Sequence, residues 1–466
     1  MLGEDKKMNN TTIKELAAST GGEIISGNEN AVFSNIVIDS RQADKDSLFV
    51  PLVGERNDAH KFLESVYDMG CRVAISSKKD IFLKDDFNIV LVNDTTEALQ
   101  KLGKYIRNKL TLPLVGITGS VGKTTTREMV ALALSDLKVF KTPNNFNSQV
   151  GVPITLSRIN DEEIGVIELG MSQFGEMEKI AKIVNCDCAL VTNIGTAHIE
   201  NLHTRENIRA EKFHIMDGMK KGSVVFLNAD NDMLFDPPKE KGIVYKYFSA
   251  KGNTSCDYYA TDIVFNNAMP EFTAHIGGKK VRVNLNVFGE HQISNALVAI
   301  AVADHYNLSI ESAAKYLEEF RGFSHRQELI KLKDFTIIDD TYNASPDSMK
   351  ASISILKDFD AERKIAILAD MKELGTDEKI LHKEIGDFIN ENVKLDAVFT
   401  VGELAKEIIK DINKDIYTKS FEDNESLEKF MSEYLKAGDV CLLKGSNSMR
   451  LFDVVDKIRN YEKFIR

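Results

Sequence analysis

The chain contains no run approaching the roughly 20 consecutive apolar residues that a membrane-crossing helix needs, so no membrane insertion is expected. The first residues, Met1 to Thr12, are polar and lack the apolar centre of a secretory leader. Positive charge is not in excess: 59 Lys and Arg face 71 Asp and Glu, a net charge of −12. That balance argues against nucleic acid or an anionic lipid surface as a main partner, so any bound anion is held by a local site. Cysteine is scarce. Cys71, Cys186, Cys188, Cys256 and Cys441 are scattered and odd in number, which does not suit a disulfide framework and fits a reducing cytoplasm. Cys186 and Cys188 form a C-x-C without a second pair. On a strand the two would share a face, and core packing is expected rather than a metal. No tandem repeat and no low-complexity linker are present, and a monomer is expected because no exposed apolar repeat stands out.

What is present is an ordinary globular composition, 43% hydrophobic and 28% charged over 466 residues, long enough for two to four domains. Its most informative segment is Val115-Gly116-Ile117-Thr118-Gly119-Ser120-Val121-Gly122-Lys123-Thr124-Thr125-Thr126. An apolar run, Leu114 to Ile117, reads as a buried strand, and a helical pattern follows from Lys123 to Leu137. The turn between them carries two glycines, a lysine and hydroxyls. Backbone N–H groups of such a turn point at phosphate oxygens. Lys123 adds a mobile positive charge, and the Thr124 hydroxyl can enter the shell of a magnesium ion. The longer phosphate-loop spacing wants glycine where Ile117 stands; the shorter form T-G-x-x-G-K-T-[ST] fits Thr118 to Thr125.

Three blocks emerge, at 1–92, 93–323 and 324–466. The first has short strand-like runs, Ala31–Ile38, Ser47–Pro51, Val73–Ser76 and Asn88–Val92. The second opens with the helix Asp94–Leu110 and the nucleotide loop. Strand-then-helix units follow: Ile164–Glu168 with Glu176–Val184, Ala189–Thr192 with Asn207–Met219, then Val224–Asn228. A β-rich insert spans about Gly242 to Val287, and helices His291–His305 and Ile310–Phe320 close the block. The third contains Phe335–Asp339, Lys364–Ala369, Ala397–Val401 and Val440–Leu443, each followed by a helical pattern. Strands alternating with amphipathic helices imply α/β domains with parallel, doubly wound sheets. Those four strands end in Asp339-Asp340, Asp370, Gly402-Glu403 and Lys444-Gly445-Ser446, which a parallel sheet gathers along one edge. Ligands bind outside such edges, but Asp and Gly also follow strands for turn geometry alone; the residues leave both readings open.

Chemistry-bearing side chains stand out in the second block. Glu168 ends a strand beside the phosphate loop, where a carboxylate can ligate magnesium. His198 follows an apolar run in Asn193-Ile194-Gly195-Thr196-Ala197-His198; alone, such a histidine is more often structural. Lys212 lies within a helical stretch and alone would be read as surface.

Several strings together resemble the Mur ligases, which join amino acids to a nucleotide-linked peptide in cell-wall synthesis. They are Thr118–Thr126, Asn144-Asn145-Phe146-Asn147 through Gly151-Val152-Pro153, Glu168-Leu169-Gly170-Met171-Ser172, Asn193–His198, and Gly289-Glu290-His291 with Asn295-Ala296. Further strings resemble the branch whose substrates are UDP-N-acetylmuramoyl-tripeptide and D-alanyl-D-alanine. These are Asp339-Asp340-Thr341-Tyr342-Asn343-Ala344-Ser345-Pro346-Asp347-Ser348-Met349, Leu368 to Gly375, and Lys444-Gly445-Ser446-Asn447-Ser448-Met449. Asp39-Ser40-Arg41, Leu48-Phe49-Val50, Gly54, Asp58 and His60 resemble the nucleotide-sugar domain of that branch. The resemblance is collinear from about residue 36 to 455. Ser345, Ala369 and Asn447 depart from the pattern, where asparagine, glycine and arginine are usual; residues before Met8 fall outside it, and Met8 is an alternative start.

The resemblance implies three domains: a small α/β nucleotide-sugar domain, a central phosphate-loop ATPase domain with a parallel sheet, and a C-terminal Rossmann-like domain. It implies an ATP- and Mg2+-dependent amide ligase acting through an acyl phosphate. Gly119, Ser120, Val121, Gly122, Lys123, Thr124 and Thr125 would wrap the phosphates, with Lys123 on the transferring group. Thr124 and Glu168 would hold one magnesium, and His198 with a carbamylated Lys212 a second. Asn295 would meet adenine; it lies one helical turn from His291. Arg326, Asp340 and Tyr342 would come from the third domain as it closes, with a hinge near Gly322-Phe323-Ser324. Asp39, Ser40 and Arg41 would face the uridine-linked substrate, as would Asn147 the substrate side of the cleft. Two other classes compete: a related ligase adding the third stem residue or a folylpolyglutamate synthase, and a non-catalytic nucleotide switch. The Y-N-A-x-P-x-S-M and K-G-S-x-S-M strings weigh against the first, the third block against the second.

Overall fold

Short buried runs bounded by capped helices build the chain. Asp94 accepts the N–H of Glu97 and starts the helix Thr95–Lys109. Its apolar stripe, Leu99, Leu102 and Ile106, enters the same core as Ile13 and Leu16 on one side and Val152 and Leu156 on the other, so the first and second blocks share packing. The computed structural model describes residues 10–54, 57–239 and 242–460; Met8 lies outside the described residues.

The first block folds around a five-stranded sheet. Its order is Glu23–Ser26, Asn88–Leu91, Val73–Ser76, Ser47–Phe49, Asn35–Val37, with only the first pair antiparallel.

The central sheet has nine strands among the described residues. Seven run parallel: Tyr258–Asn266, Val244–Ser249, Val224–Asn228, Cys188–Val191, Leu114–Thr118, Ile164–Glu168 and Val139–Lys141. The parallel expectation fails at one side. There the β-rich segment is no appendage: Met269–Ile276 and Lys279–Asn284 extend the same sheet as an antiparallel meander. Its turns pass through Asn267 and Ala268 (φ 49° and 62°) and through Gly277 and Gly278 (φ 55° and 84°), the left-handed pairs that close tight hairpins.

The helix after the phosphate loop spans Lys123–Ala133, shorter than the pattern suggested, because the chain turns at Leu134–Leu137 to enter the strand Val139–Lys141. The shared-face reading of the cysteine pair is also corrected. Cys188 packs with Val115 and Leu190 on one side of the sheet, and Cys186 with Ala189 and Val191 on the other. The strand begins only at Cys188, so strand alternation does not reach back to Cys186.

The third sheet orders Glu328–Lys331, Thr336–Asp340, Asp439–Lys444, Arg363–Ala369, Ala397–Val401 and Tyr417–Phe421; all but the first pair are parallel. The strand Ala397–Val401 leads into a 3-10 turn, Ala405–Ile409, rather than an α-helix. Among the described residues no helix is long and apolar enough to cross a membrane.

Candidate active site

Leu114–Thr118 is fully buried and delivers the chain into the phosphate loop. At Gly119 a Cβ would lie 1.9 Å from Thr192 Oγ1, so only glycine fits there. Gly122 is left-handed (φ 84°) and begins the helix without a side-chain cap. The first-turn N–H groups therefore stay available to an anion. The loop is stitched to the neighbouring strand end. Thr192 Oγ1 and Asn193 Nδ2 donate to the Val121 carbonyl at 2.7 and 3.0 Å, and Val121 N–H donates to Asn193 Oδ1 at 2.9 Å. Lys123 curls back, donating from Nζ to the Gly119 carbonyl at 2.8 Å, and burial pushes its amine below the usual lysine range.

Glu168 ends the strand Ile164–Glu168 with only 2% exposure. Its Oε1 accepts from Asn147 Nδ2 at 2.7 Å and lies 3.4 Å from Thr124 Oγ1. Its Oε2 takes Arg127 at 3.2 Å. Arg127 also holds Glu128 at 2.7 Å, and Lys141 pairs with the other oxygen of Glu128. The carboxylate that faces Thr124 is thus fixed from two sides.

His198 has φ 66° and pairs through Nδ1 with Glu373 of the third block at 3.0 Å. Lys212 is 1% exposed. Among the described residues its side chain makes no hydrogen bond or ion pair, and burial, with Lys123 nearby, pushes its amine well below the usual range. Asn295 accepts from Thr126 Oγ1 at 3.0 Å and donates to Gln292 at 3.0 Å. From the third block, Arg326 stacks its guanidinium 3.7 Å from the centre of the Tyr342 ring. Asp340 receives Lys444 at 2.6 Å and also the Ser352 hydroxyl.

One cavity of about 1860 Å³ gathers most of these groups. Ser120, Val121, Gly122, Lys123, Thr124, Thr125, Asn147, Glu168, His198 and Asn295 line it from the central block, and Arg326, Asp340 and Tyr342 from the third. Gly119 and Lys212 do not line it. Neither do Asp39, Ser40 and Arg41: Asp39 caps the turn Ser40–Gln42 and is gripped by the Arg41 guanidinium, which holds the carboxyl well below its usual range.

The third-sheet edge divides between the two readings. Asp340, Lys444 and Ser446 line the cavity. Asp370 instead serves the turns, accepting Ala405 N–H at 2.8 Å on its carboxylate and Ser446 N–H at 3.1 Å on its carbonyl. Arg127, Lys444, Asp347 and Glu373 are contributors that sequence reasoning did not single out. The last three lay inside recognised strings without an assigned partner; Arg127 carried only its place one helical turn beyond Lys123.

A phosphate-loop sheet facing a doubly wound domain across one cleft is the architecture of the Mur ligases, and this chain belongs to that family. The family model for the Mur ligase middle domain matches residues 117–303, and that for the Mur ligase glutamate ligase domain matches 325–447. The chain is 34% identical over 453 residues to the UDP-N-acetylmuramoyl-tripeptide–D-alanyl-D-alanine ligase of Bacillus subtilis (strain 168), covering 95% of this chain and 97% of that one. The crystal structure of MurF from Acinetobacter baumannii superposes with a TM-score of 0.88 at 29% identity, covering 97% and 99%. The MurF ligase of Thermotoga maritima in complex with ADP gives 0.79 at 29% identity, covering 91% and 97%.

Proposed function

We propose that this chain is the ligase that uses ATP to join D-alanyl-D-alanine to UDP-N-acetylmuramoyl-tripeptide. The product is the UDP-N-acetylmuramoyl-pentapeptide of peptidoglycan synthesis, made in the cytoplasm by a monomer. The observation that carries the reading is the shared cavity, where a phosphate loop faces Arg326, Asp340 and Tyr342 of the third block. Its specificity is supported by the near full-length likeness to the Bacillus subtilis enzyme.

A carboxylate and an ammonium do not condense on their own, because the carboxylate lacks a leaving group. The terminal carboxylate of the tripeptide attacks the γ-phosphorus of ATP, and ADP departs. The neutral amine of D-alanyl-D-alanine then attacks the acyl carbon. Phosphate leaves with the former carboxylate oxygen, and the amine gives up a proton. The N–H groups of Gly122–Thr125 hold the phosphates, those of Ser120 and Val121 being taken by Asn193. Lys123 leaves the Gly119 carbonyl for the transferring phosphoryl group, where it stabilises charge that builds in the transition state. Arg326, presented by Tyr342, adds a second cation from the opposite wall, and Asn295 borders the adenine.

Thr124 Oγ1 and Glu168 Oε1 are hard oxygen donors 3.4 Å apart and fit magnesium. Magnesium bound there offsets charge on the phosphoryl oxygens. Lys212 lies outside the cavity that His198 lines, and it would serve a second ion only as a carbamate. A buried amine with no partner among the described residues, held toward its neutral form, is the species that takes up carbon dioxide. Asn147 orients Glu168, and Asp39, Ser40 and Arg41 contact the uridine-linked substrate outside the phosphate cavity.

The test is phosphate release from ATP with UDP-tripeptide, with and without D-alanyl-D-alanine. Release that needs both supports the reading. Turnover of a shorter UDP-peptide with diaminopimelate or lysine, or of a folate with glutamate, would replace it with the related ligases.

A further inference from the structure

The loop Asn193–His198 touches the phosphate loop on one side and the third block on the other. Gly195 N–H donates to Ser120 Oγ at 2.9 Å, and Ser120 N–H donates to the Asn193 carbonyl at 3.0 Å. Arg205, paired with Asp232, holds the Ile194 carbonyl at 2.9 Å. From across the cleft, Asp347 Oδ2 accepts Thr196 N–H at 3.1 Å. Asp347 occupies the second position of the helix Pro346–Asp358, where the dipole favours a carboxylate.

The identity of residue 195 has one explanation here. Gly195 is not among the residues with left-handed backbone, so its conformation does not demand glycine. A Cβ built on it would meet Asp347 Oδ2 at 2.1 Å and Asp347 Cγ at 3.0 Å. The next neighbour, Ser120 Cβ, is 3.5 Å away, an ordinary contact. Within the central domain an alanine fits. Only the carboxylate arriving from the other domain excludes it.

We propose that Asp347 is a positioning residue, and that Gly195 is the socket through which it docks the third domain onto the phosphate-loop domain. Docking then seats the third domain, and Arg326 with it, against the loop that bonds Ser120, leaving the phosphate loop's own geometry unchanged. The inference rests on the ligase reading for its kinetic readout only; the docking readout is independent of it.

The test is a double-mutant cycle on the full chain, with kcat, ADP affinity, and small-angle scattering in the presence of an ATP analogue and UDP-tripeptide. Asp347→Ala loses the charged acceptor of both the Thr196 N–H and the Thr196 hydroxyl and is expected to lower kcat about tenfold. Gly195→Ala keeps the carboxylate but blocks its seat; misplacing the domain is expected to lower kcat about a hundredfold and to raise the radius of gyration. ADP affinity stays within about twofold in both, since neither side chain touches the phosphates in the Lys123 turn. The double variant, with carboxylate and clash both gone, is expected to return to the level of Asp347→Ala. A merely structural role for Gly195 predicts losses that multiply, and that result overturns the proposal, as does wild-type kcat and compaction in Gly195→Ala. Should Gly195→Ala fail to fold, Asp347→Lys replaces it: a long cation brought against Arg205 prevents compaction if the socket exists, and an unchanged radius overturns the proposal. A wild-type chain inactive with both substrates defeats the ligase reading, while scattering still decides the docking one.

Discussion

Lys444 and Asp340 are register partners on neighbouring parallel strands, and their side chains meet at 2.6 Å with 3% and 11% exposure. Lys444 also donates to the Asn343 carbonyl at 3.0 Å. The pair joins the two strand ends that present Tyr342 to the cavity. Removing the lysine leaves Asp340 as a buried carboxylate with its cation gone, which costs about 3–5 kcal/mol in comparable sites. Lys444→Met is therefore expected to lower the urea midpoint by a matching amount. A loss under about 1 kcal/mol, the scale of a surface pair, would show that the ion pair does not hold this edge.

Lys123→Ala is expected to nearly abolish turnover while the melting temperature stays close to wild type. Burial holds the amine below its usual range, and among the described residues its hydrogen bonds run only to carbonyls of its own loop, so its removal is expected to cost little stability; what is lost is charge in the transition state. Near-normal kcat in a folded variant would refute the role given to the loop.

Much of this was legible in the sequence, for physical reasons. The strands Ile164–Glu168 and Val73–Ser76 and the helices Glu176–Val184 and His291–His305 fell where the patterns put them, because apolar runs and caps are local signals. The phosphate loop was legible because its glycines are forced, Gly119 by close approach to Thr192 and Gly122 by its left-handed backbone. The antiparallel extension of the central sheet was not, since strand partners are non-local. Nor was the division of Asp340 and Asp370 between cavity and turn, which depends on which strand lies next to which. Arg127 was invisible because its meaning comes from Glu168, 41 residues further along the chain.

Glu168→Gln keeps the amide–carbonyl contact with Asn147 but removes the charge facing Thr124. It is expected to raise the magnesium needed for half-maximal rate by about tenfold or more, as losing one anionic ligand from a hard-cation site does. An unchanged magnesium titration would place the ion elsewhere. For Lys212, a mass measurement on the intact chain showing no carbon dioxide adduct under bicarbonate would exclude the carbamate.

His291 supplies a pH dependence. Burial lowers its pKa from 6.5 to about 4, while Gln292 and Gln327 bond to its Nε2 at 3.1 and 3.2 Å. The folded value is depressed, so above pH 6.5 the ring is neutral in both states and contributes full stability. Below that the unfolded chain takes up the proton first, and the contribution is lost as pH falls toward 4. His291→Gln is expected to flatten the fall in stability across that window. Equal slopes for variant and wild type would show that the ring titrates normally.

The central claim is activation of a carboxylate by phosphoryl transfer, and an isotope experiment tests it most directly. UDP-tripeptide carrying heavy oxygen in its terminal carboxylate is incubated with the chain, ATP and D-alanyl-D-alanine. Mass spectrometry then follows phosphate and peptide. The account predicts UDP-pentapeptide, with one heavy oxygen carried into the released phosphate by the former carboxylate. Phosphate free of the label, beside unchanged UDP-tripeptide, would contradict it.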